Sequence, residues 1–266
     1  MKQGQQRTLW ATVLILGLVI AAVCIGILVW LRTAQAKVDQ QLETASSSQT
    51  EASSEAIPEQ ANPDDIPIDF DYLHEINEDI YGWIELHATE QGYPVLSNED
   101  PDHYLHLDIN GNYSVSGSIY TQSTYNKTDF SDPCMLIYGH DLSNGTMFGG
   151  IQRAIPRLDL DDAADRDNYF TLYTPTSYLT CRICAAGVFN TDHILYYYDF
   201  EDKADFERFF ADLASYPIGT PYASSDFAPV FGDQLAILST CYAKDYNQRF
   251  LIVGVVTEKN GVPVSR

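Results

Sequence analysis

The spacing of apolar and polar residues along the chain changes character several times. From Thr8 to Leu31 no side chain is charged, and at about 1.5 Å per helical residue this run exceeds the roughly 30 Å hydrocarbon core of a bilayer. It predicts a membrane-spanning helix over 8–31 behind a short tail at 1–7. A cleaved signal peptide competes through the small-x-small pattern Ala34-Gln35-Ala36, but the apolar region is longer than a signal core. The next stretch is 32–66, and from Thr44 to Asp65 it is mainly Ser, Ala, Glu, Gln and Pro with almost no large apolar residue. It cannot bury enough surface to offset ordering entropy and reads as a flexible acidic stalk. From 67 onward short strand-like segments follow one another: Tyr81 to Leu86, Tyr93 to Leu96, Ser116 to Tyr120, Met135 to Tyr138, Tyr169 to Thr174, Tyr178 to Phe189, Gln234 to Thr240 and Phe250 to Thr257. Many short strands with frequent turns predict a mainly β barrel or sandwich. Helices are expected at Ile68 to Glu78 and at Asp202 to Leu213, where Phe206, Phe209, Phe210 and Leu213 fall at helical spacing.

Charge narrows the function classes. The formal net charge is −22, and no Lys or Arg occurs between Val38 and Asn126. Phosphate contacts need clustered cations, so nucleic acid is excluded as a partner. The 18 Tyr and 12 Phe lie almost wholly in 67–266, a length suited to one core rather than two separate domains.

Five cysteines are present, with Cys24 inside the apolar span. An even remainder invites disulfides and Cys181-Arg182-Ile183-Cys184 invites a redox or metal motif. On a strand, however, residues three apart leave opposite faces, so this pair can neither bridge nor share an ion. His103 and His106 are a weak metal pair, and the acidic run Asp159 to Asp167 lacks the ligand order of a calcium loop, which leaves a solvated helix face as its reading. No metal or cofactor is expected.

The most informative stretch is Leu235 to Val256. An apolar run ends at Cys241, seven mostly polar residues follow, and Arg249 opens a second apolar run. This reads as a hairpin with a longish loop. As a cross-strand pair Cys241 and Arg249 would share a face with Cβ atoms roughly 5 Å apart. A cation beside a thiol favours the thiolate, and a guanidinium can hold an oxyanion. A small buried hydrophobe is the competing reading of such a cysteine.

Leu238-Ser239-Thr240-Cys241 followed by Arg249 resembles the active-site hairpin of the sortases, cysteine transpeptidases of Gram-positive cell surfaces. Ser131 to Gly149, SDPCMLIYGHDLSNGTMFG, is similar to the strand and loop that carry the sortase histidine, here His140. Asn77 to Leu96, together with Tyr104-Leu105 and Gly117-Ser118-Ile119, resembles the entry into the barrel of class B sortases. Ile237 stands where the family motif has Thr, and Glu78 where its first turn has Pro; neither change removes a reacting group.

The resemblance, covering about Ile68 to Val256, implies a closed sortase-type barrel of about eight strands with peripheral helices, one N-terminal and one before the cysteine strand. It implies Cys241 as nucleophile, His140 as proton donor and Arg249 as oxyanion stabiliser. Leu105, Ser239 and Thr240 match groove positions, and Tyr196 to Tyr198 are further candidates. Asp245 could orient Arg249, against a plain solvated loop acid. The implied partners are secreted proteins with a C-terminal sorting signal and an acceptor amine, either of a peptidoglycan precursor or of a pilin. The implied placement is a single-pass membrane anchor with the N-terminus inside and 67–266 outside. A pilin-polymerising sortase and a non-catalytic, membrane-tethered surface-binding module are the alternatives.

Overall fold

The computed structural model of the chain describes residues 60–62 and 65–266, without the side chain of Tyr246. The expected tail at 1–7, the span at 8–31 and most of the stalk lie outside the described residues. Among those described, no helix is long and apolar enough to cross a membrane.

In chain order the elements are α1 (Phe70–Ile76), β1 (Ile80–Leu86), β2 (Gln91–Leu96), β3 (Ile119–Tyr120), β4 (Cys134–Tyr138), α2 (Phe148–Ala154), β5 (Tyr169–Tyr173), β6 (Tyr178–Phe189), α3 (Ile194–Tyr197), α4 (Lys203–Ser215), β7 (Tyr222–Ala223), β8 (Leu235–Tyr242), β9 (Asp245–Lys259) and β10 (Val262–Pro263). Hydrogen bonding runs β9-β8-β4-β3-β2-β1-β5-β6, and β6 pairs back onto β9, closing eight strands into a barrel. The pairs β2–β3 and β4–β8 are parallel and the other pairs around the ring antiparallel. Closure removes the free edges that an open sheet would expose. Only the short β7 and β10 lie outside the ring, paired to β6 and β9.

Strand alternation sorts the side chains into two cores. Ile84, Val95, Ile119, Ile137, Leu172, Ile183, Leu238 and Ile252 come from all eight strands and belong to one buried cluster, which fills the barrel. Leu136, Ile237, Leu251 and Val253 point the other way and meet Phe206, Phe209 and Leu213 of α4 in a second cluster. Helix α4 starts where Asp202 accepts a hydrogen bond from the Asp205 backbone at 3.0 Å, a side-chain cap for an otherwise orphaned N–H. Its phenylalanines face the barrel as their spacing predicted.

Cys181 belongs to the inner cluster and Cys184 to the outer one. Both are free thiols, as is the buried Cys134. Burial pushes Cys134 and Cys181 well up and Cys184 up to about 12.

The acidic run 159–167 departs from the expected helix face: it forms turns and a single 3-10 turn at Arg166–Asn168. Asp161 there accepts from the hydroxyls of Ser224 and Ser225 and from the Ser225 and Asp226 backbones. His103 and His106 each pack against a tyrosine ring, Tyr104 and Tyr113, at centroid distances of 4.9 and 6.2 Å.

Strand β3 pairs only with the far end of β4, at Tyr120 and Tyr138. Nearer the start of β4 the buried carboxamide of Asn126 replaces it: Nδ2 donates to the Cys134 carbonyl at 2.9 Å and Oδ1 accepts from the Leu136 N–H at 2.9 Å. Asn126→Leu orphans both buried backbone groups, so it should lower unfolding stability by about 2–4 kcal/mol in urea titration. The hydrogen bonds from Ser224 and Ser225 hold the Asp161 carboxyl at a pKa of about 2, below the usual carboxylate range. A depressed carboxyl stabilises the fold above its unfolded pKa and loses that contribution as pH falls through the folded one. Acid titration should therefore show a loss of stability between about pH 4 and pH 2 that is smaller in Asp161→Asn.

Candidate active site

Three strand ends meet on the outer face of the barrel. In the parallel β4–β8 pair Tyr138 lies opposite Ser239, and the Gly139 N–H donates to the Ser239 carbonyl at 3.1 Å. Two residues further on, the same alternation carries His140 and Cys241 off neighbouring strands on one side. In the antiparallel β8–β9 pair Cys241 lies opposite Arg249. The Ser239 carbonyl points to β4, so the backbone groups of Cys241 point that way too. Cys241 and Arg249 thus form a non-hydrogen-bonded pair, the kind with Cα atoms only about 4.5 Å apart. The Arg249 Nη1 reaches the Cys241 Sγ at 3.7 Å. On its other side Arg249 pairs with Phe189 of β6.

His140, Cys241 and Arg249 line one cavity of about 220 Å³, with Leu105, Ser239 and Thr240 also in its wall. Cys241 is half-buried, unlike the other described cysteines. The His140 Nε2 lies 3.3 Å from the Leu105 carbonyl oxygen. That oxygen can only accept, so Nε2 carries the proton, and in the neutral ring Nδ1 is left as the basic nitrogen. The Leu105 segment is itself fixed: the Ser118 N–H donates to the Tyr104 carbonyl at 3.0 Å, and the Tyr104 hydroxyl donates to Asp79 at 2.6 Å. Ser239 shares the face of Cys241. Thr240 alternates to the face of Leu238, and its hydroxyl is buried with no hydrogen-bond partner.

Two expectations about the surroundings change. The loop after Cys241 is shorter than seven residues, because β8 runs to Tyr242 and β9 begins at Asp245, which leaves Ala243 and Lys244 between them. A register shift after Cys241 lets Tyr242 pair with Asp245. The Asp245 carboxylate accepts from the Asn247 backbone at 3.0 Å, the local turn role rather than a hold on Arg249. Tyr196 to Tyr198 border a different pocket, with Phe200 and Asp205. Tyr198 is buried there, its hydroxyl donating to Asp212 at 2.8 Å.

Residues of 190–194 instead complete the far wall of the cavity, with Asp102, Tyr120 and Gln122. The His193 Nε2 donates to the Gln122 Oε1 at 2.6 Å, and the Gln122 Nε2 donates to Asp102 at 2.9 Å. Burial lowers the His193 pKa, so this imidazole is neutral near pH 7. Burial raises Tyr120 to about 12 and raises Tyr138 as well, with Arg249 working against both. Among the residues that line the cavity, Arg249 is the one permanent cation. None of Asp102, Gln122 and His193 carries a motif; only the pairing of Phe189 with Arg249 brings the segment after β6 here.

Helix α2 braces both strand ends. Its Phe148 N–H donates to the His140 carbonyl at 3.1 Å. The Phe148 ring packs so closely on Gly139 that a Cβ there would lie 2.7 Å from it. Gly139→Ala should lower stability by about 1–3 kcal/mol in thermal or urea unfolding, because the Phe148 ring and the end of β4 must shift apart.

A thiol paired with a fixed guanidinium, beside an imidazole with one open nitrogen and a groove alongside, suits acyl transfer. No family model matches the chain. It is 29% identical over 191 residues to sortase B of Listeria monocytogenes, covering 70% of this chain and 73% of that protein. The X-ray structure of Clostridium perfringens sortase B matches with a TM-score of 0.59 at 27% identity, over 71% of this chain and 100% of that one. A Staphylococcus aureus sortase B-substrate complex matches with a TM-score of 0.57 at 23% identity, over 86% of this chain and 94% of that one, a likeness of fold. The eight-stranded closed mixed barrel with peripheral helices is the sortase fold, as the sequence resemblance implied.

Proposed function

We propose that the chain is a cysteine transpeptidase of the sortase B type, with Cys241 as its nucleophile, His140 its proton carrier and Arg249 its oxyanion stabiliser. The observation that supports this most directly is the 3.7 Å approach of the Arg249 guanidinium to the Cys241 sulfur in the cavity that His140 also lines.

The substrate is a secreted protein with a C-terminal sorting signal, laid along the groove between Leu105 and the 190–194 segment. The Cys241 sulfur attacks the Thr carbonyl of that signal, and the oxygen that gains charge is met by the planar donor fork of Arg249. The proton that leaves the thiol reaches the departing amine by way of His140. The peptide C–N bond breaks and a thioester forms. An acceptor amine then attacks the thioester, forms a new amide and returns the thiol to Cys241. Cell-wall peptidoglycan precursor supplies that amine in this reading. Ser239 and Leu105 contact the signal, and Thr240 backs the groove from the inner face. Residues 8–31 anchor the chain in the membrane with the N-terminus inside, 32–66 give reach, and 67–266 are the extracellular catalytic domain.

The test uses the full chain, a fluorogenic sorting-signal peptide and triglycine as amine. Cys241→Ala should abolish both cleavage and transfer. Arg249→Lys should keep less than about a tenth of wild-type kcat/KM, because a point charge cannot replace a bidentate fork. Full activity in Cys241→Ala sinks the reading and leaves a tethered binding module in its place.

A further inference from the structure

The β4 strand has to leave the sheet at Gly139 for His140 to reach over the groove. In a parallel ladder one residue of the neighbour donates to the carbonyl of residue i and accepts from the N–H of residue i+2. Gly139 donates to Ser239, so residue 141 would be the next to pair, with the Cys241 carbonyl and the Ala243 N–H. Asp141 is elsewhere: it pairs with Met147 across the loop and holds Arg153 at 3.2 Å. The vacated position is filled by a side chain. The Gln152 Nε2 donates to the Cys241 carbonyl at 3.0 Å, and its Oε1 accepts from the Ala243 N–H at 3.1 Å.

We infer that Gln152 is a positioning residue for Cys241: its carboxamide stands in for the missing peptide group of β4 and fixes the backbone on the far side of the nucleophile. Three observations carry this. Gln152 is only 7% exposed, so water cannot readily take over either hydrogen bond. The two groups it holds flank the register shift after Cys241, the point where the β8–β9 ladder is least able to fix the chain. Asn126 binds the Cys134 carbonyl and the Leu136 N–H in the same i, i+2 pattern, so the fold uses the device twice. Only at Gln152 does the braced residue carry the reacting sulfur. Because the Phe148 N–H holds the His140 carbonyl, one seven-residue helix sets both Cys241 and His140. Gln152 does not touch the substrate; it governs where the sulfur sits relative to Arg249 and His140.

This inference rests on the reading of Cys241 as nucleophile, and the experiment separates the two. Gln152→Glu is nearly isosteric. Its neutral acid donates and accepts as the amide does, whereas its carboxylate can only accept and is repelled by the Cys241 carbonyl. Gln152→Met fills the space and makes neither bond. In the full chain two quantities are compared with wild type between about pH 8 and pH 5, a range in which a raised carboxyl titrates. One is kcat and KM for cleavage of the sorting-signal peptide. The other is the rate at which iodoacetamide alkylates Cys241, followed by peptide mass mapping. Gln152→Met should lose about 10-fold to 100-fold in kcat at every pH with KM little changed, as expected for a displaced reacting atom. Gln152→Glu should behave like it at pH 8 and recover towards wild type as pH falls, in kcat and alkylation alike. Both variants within twofold of wild type would overturn the inference. So would two slow variants whose ratio to wild type does not move with pH, since that marks a packing defect. An active Cys241→Ala would instead overturn the underlying assignment, whatever the Gln152 variants do.

Discussion

The site depends on a parallel seam. Strands β4 and β8 run side by side from Cys134 and Leu235 to Tyr138 and Ser239, and parallel strands end at the same edge of a sheet. An antiparallel partner would have put the end of β8 beside the start of β4, far from His140. Strand β4 is braced on its opposite edge by Asn126, and the seam is covered from outside by the second core under α4. Because the barrel is closed, the seam cannot splay: β8 is held by β9, and β9 in turn by β6. Rigidity of the scaffold is what allows two loop-borne groups, His140 and the 190–194 segment, to be placed against a strand-borne sulfur.

How much of this could be read from residues alone depended on the range of the interaction. The Cys241–Arg249 pair is local, a hairpin whose two apolar runs set the register, and it was legible. The inert pair Cys181 and Cys184 was legible for a related reason, since alternation within one strand decides which way each points. His140 follows a strand far away in sequence, and no spacing rule joins it to Cys241; only the resemblance does. The loop after Cys241 reads longer in the sequence than it is, because polar residues fill both faces at the tip of the β8–β9 hairpin. Alternation, the signal that marks a strand, vanishes there even though pairing continues to Asp245. Tyr196 to Tyr198 are groove candidates in the sequence, yet the Tyr198 hydroxyl reaches Asp212 of α4 instead.

The least legible residues are the amides. Asn126 begins a glycosylation-like Asn-x-Thr triplet, Gln152 sits in a short helix and Gln122 in a loop, and none belongs to a periodic pattern. A carboxamide carries a donor and an acceptor at the geometry of a peptide bond, so it can complete a ladder wherever a strand ends early. Such a role exists only once the backbone has a gap to fill.

Among the described residues three cysteines are sealed in the two cores and one lies half-open. The folded domain therefore offers a thiol reagent a single thiol, and a disulfide between two copies would have to run through the cavity of each. Global opening would uncover three more sulfurs at once, from strands β4 and β6. The number of thiols a maleimide can tag thus becomes a gauge of how much of the barrel has come apart.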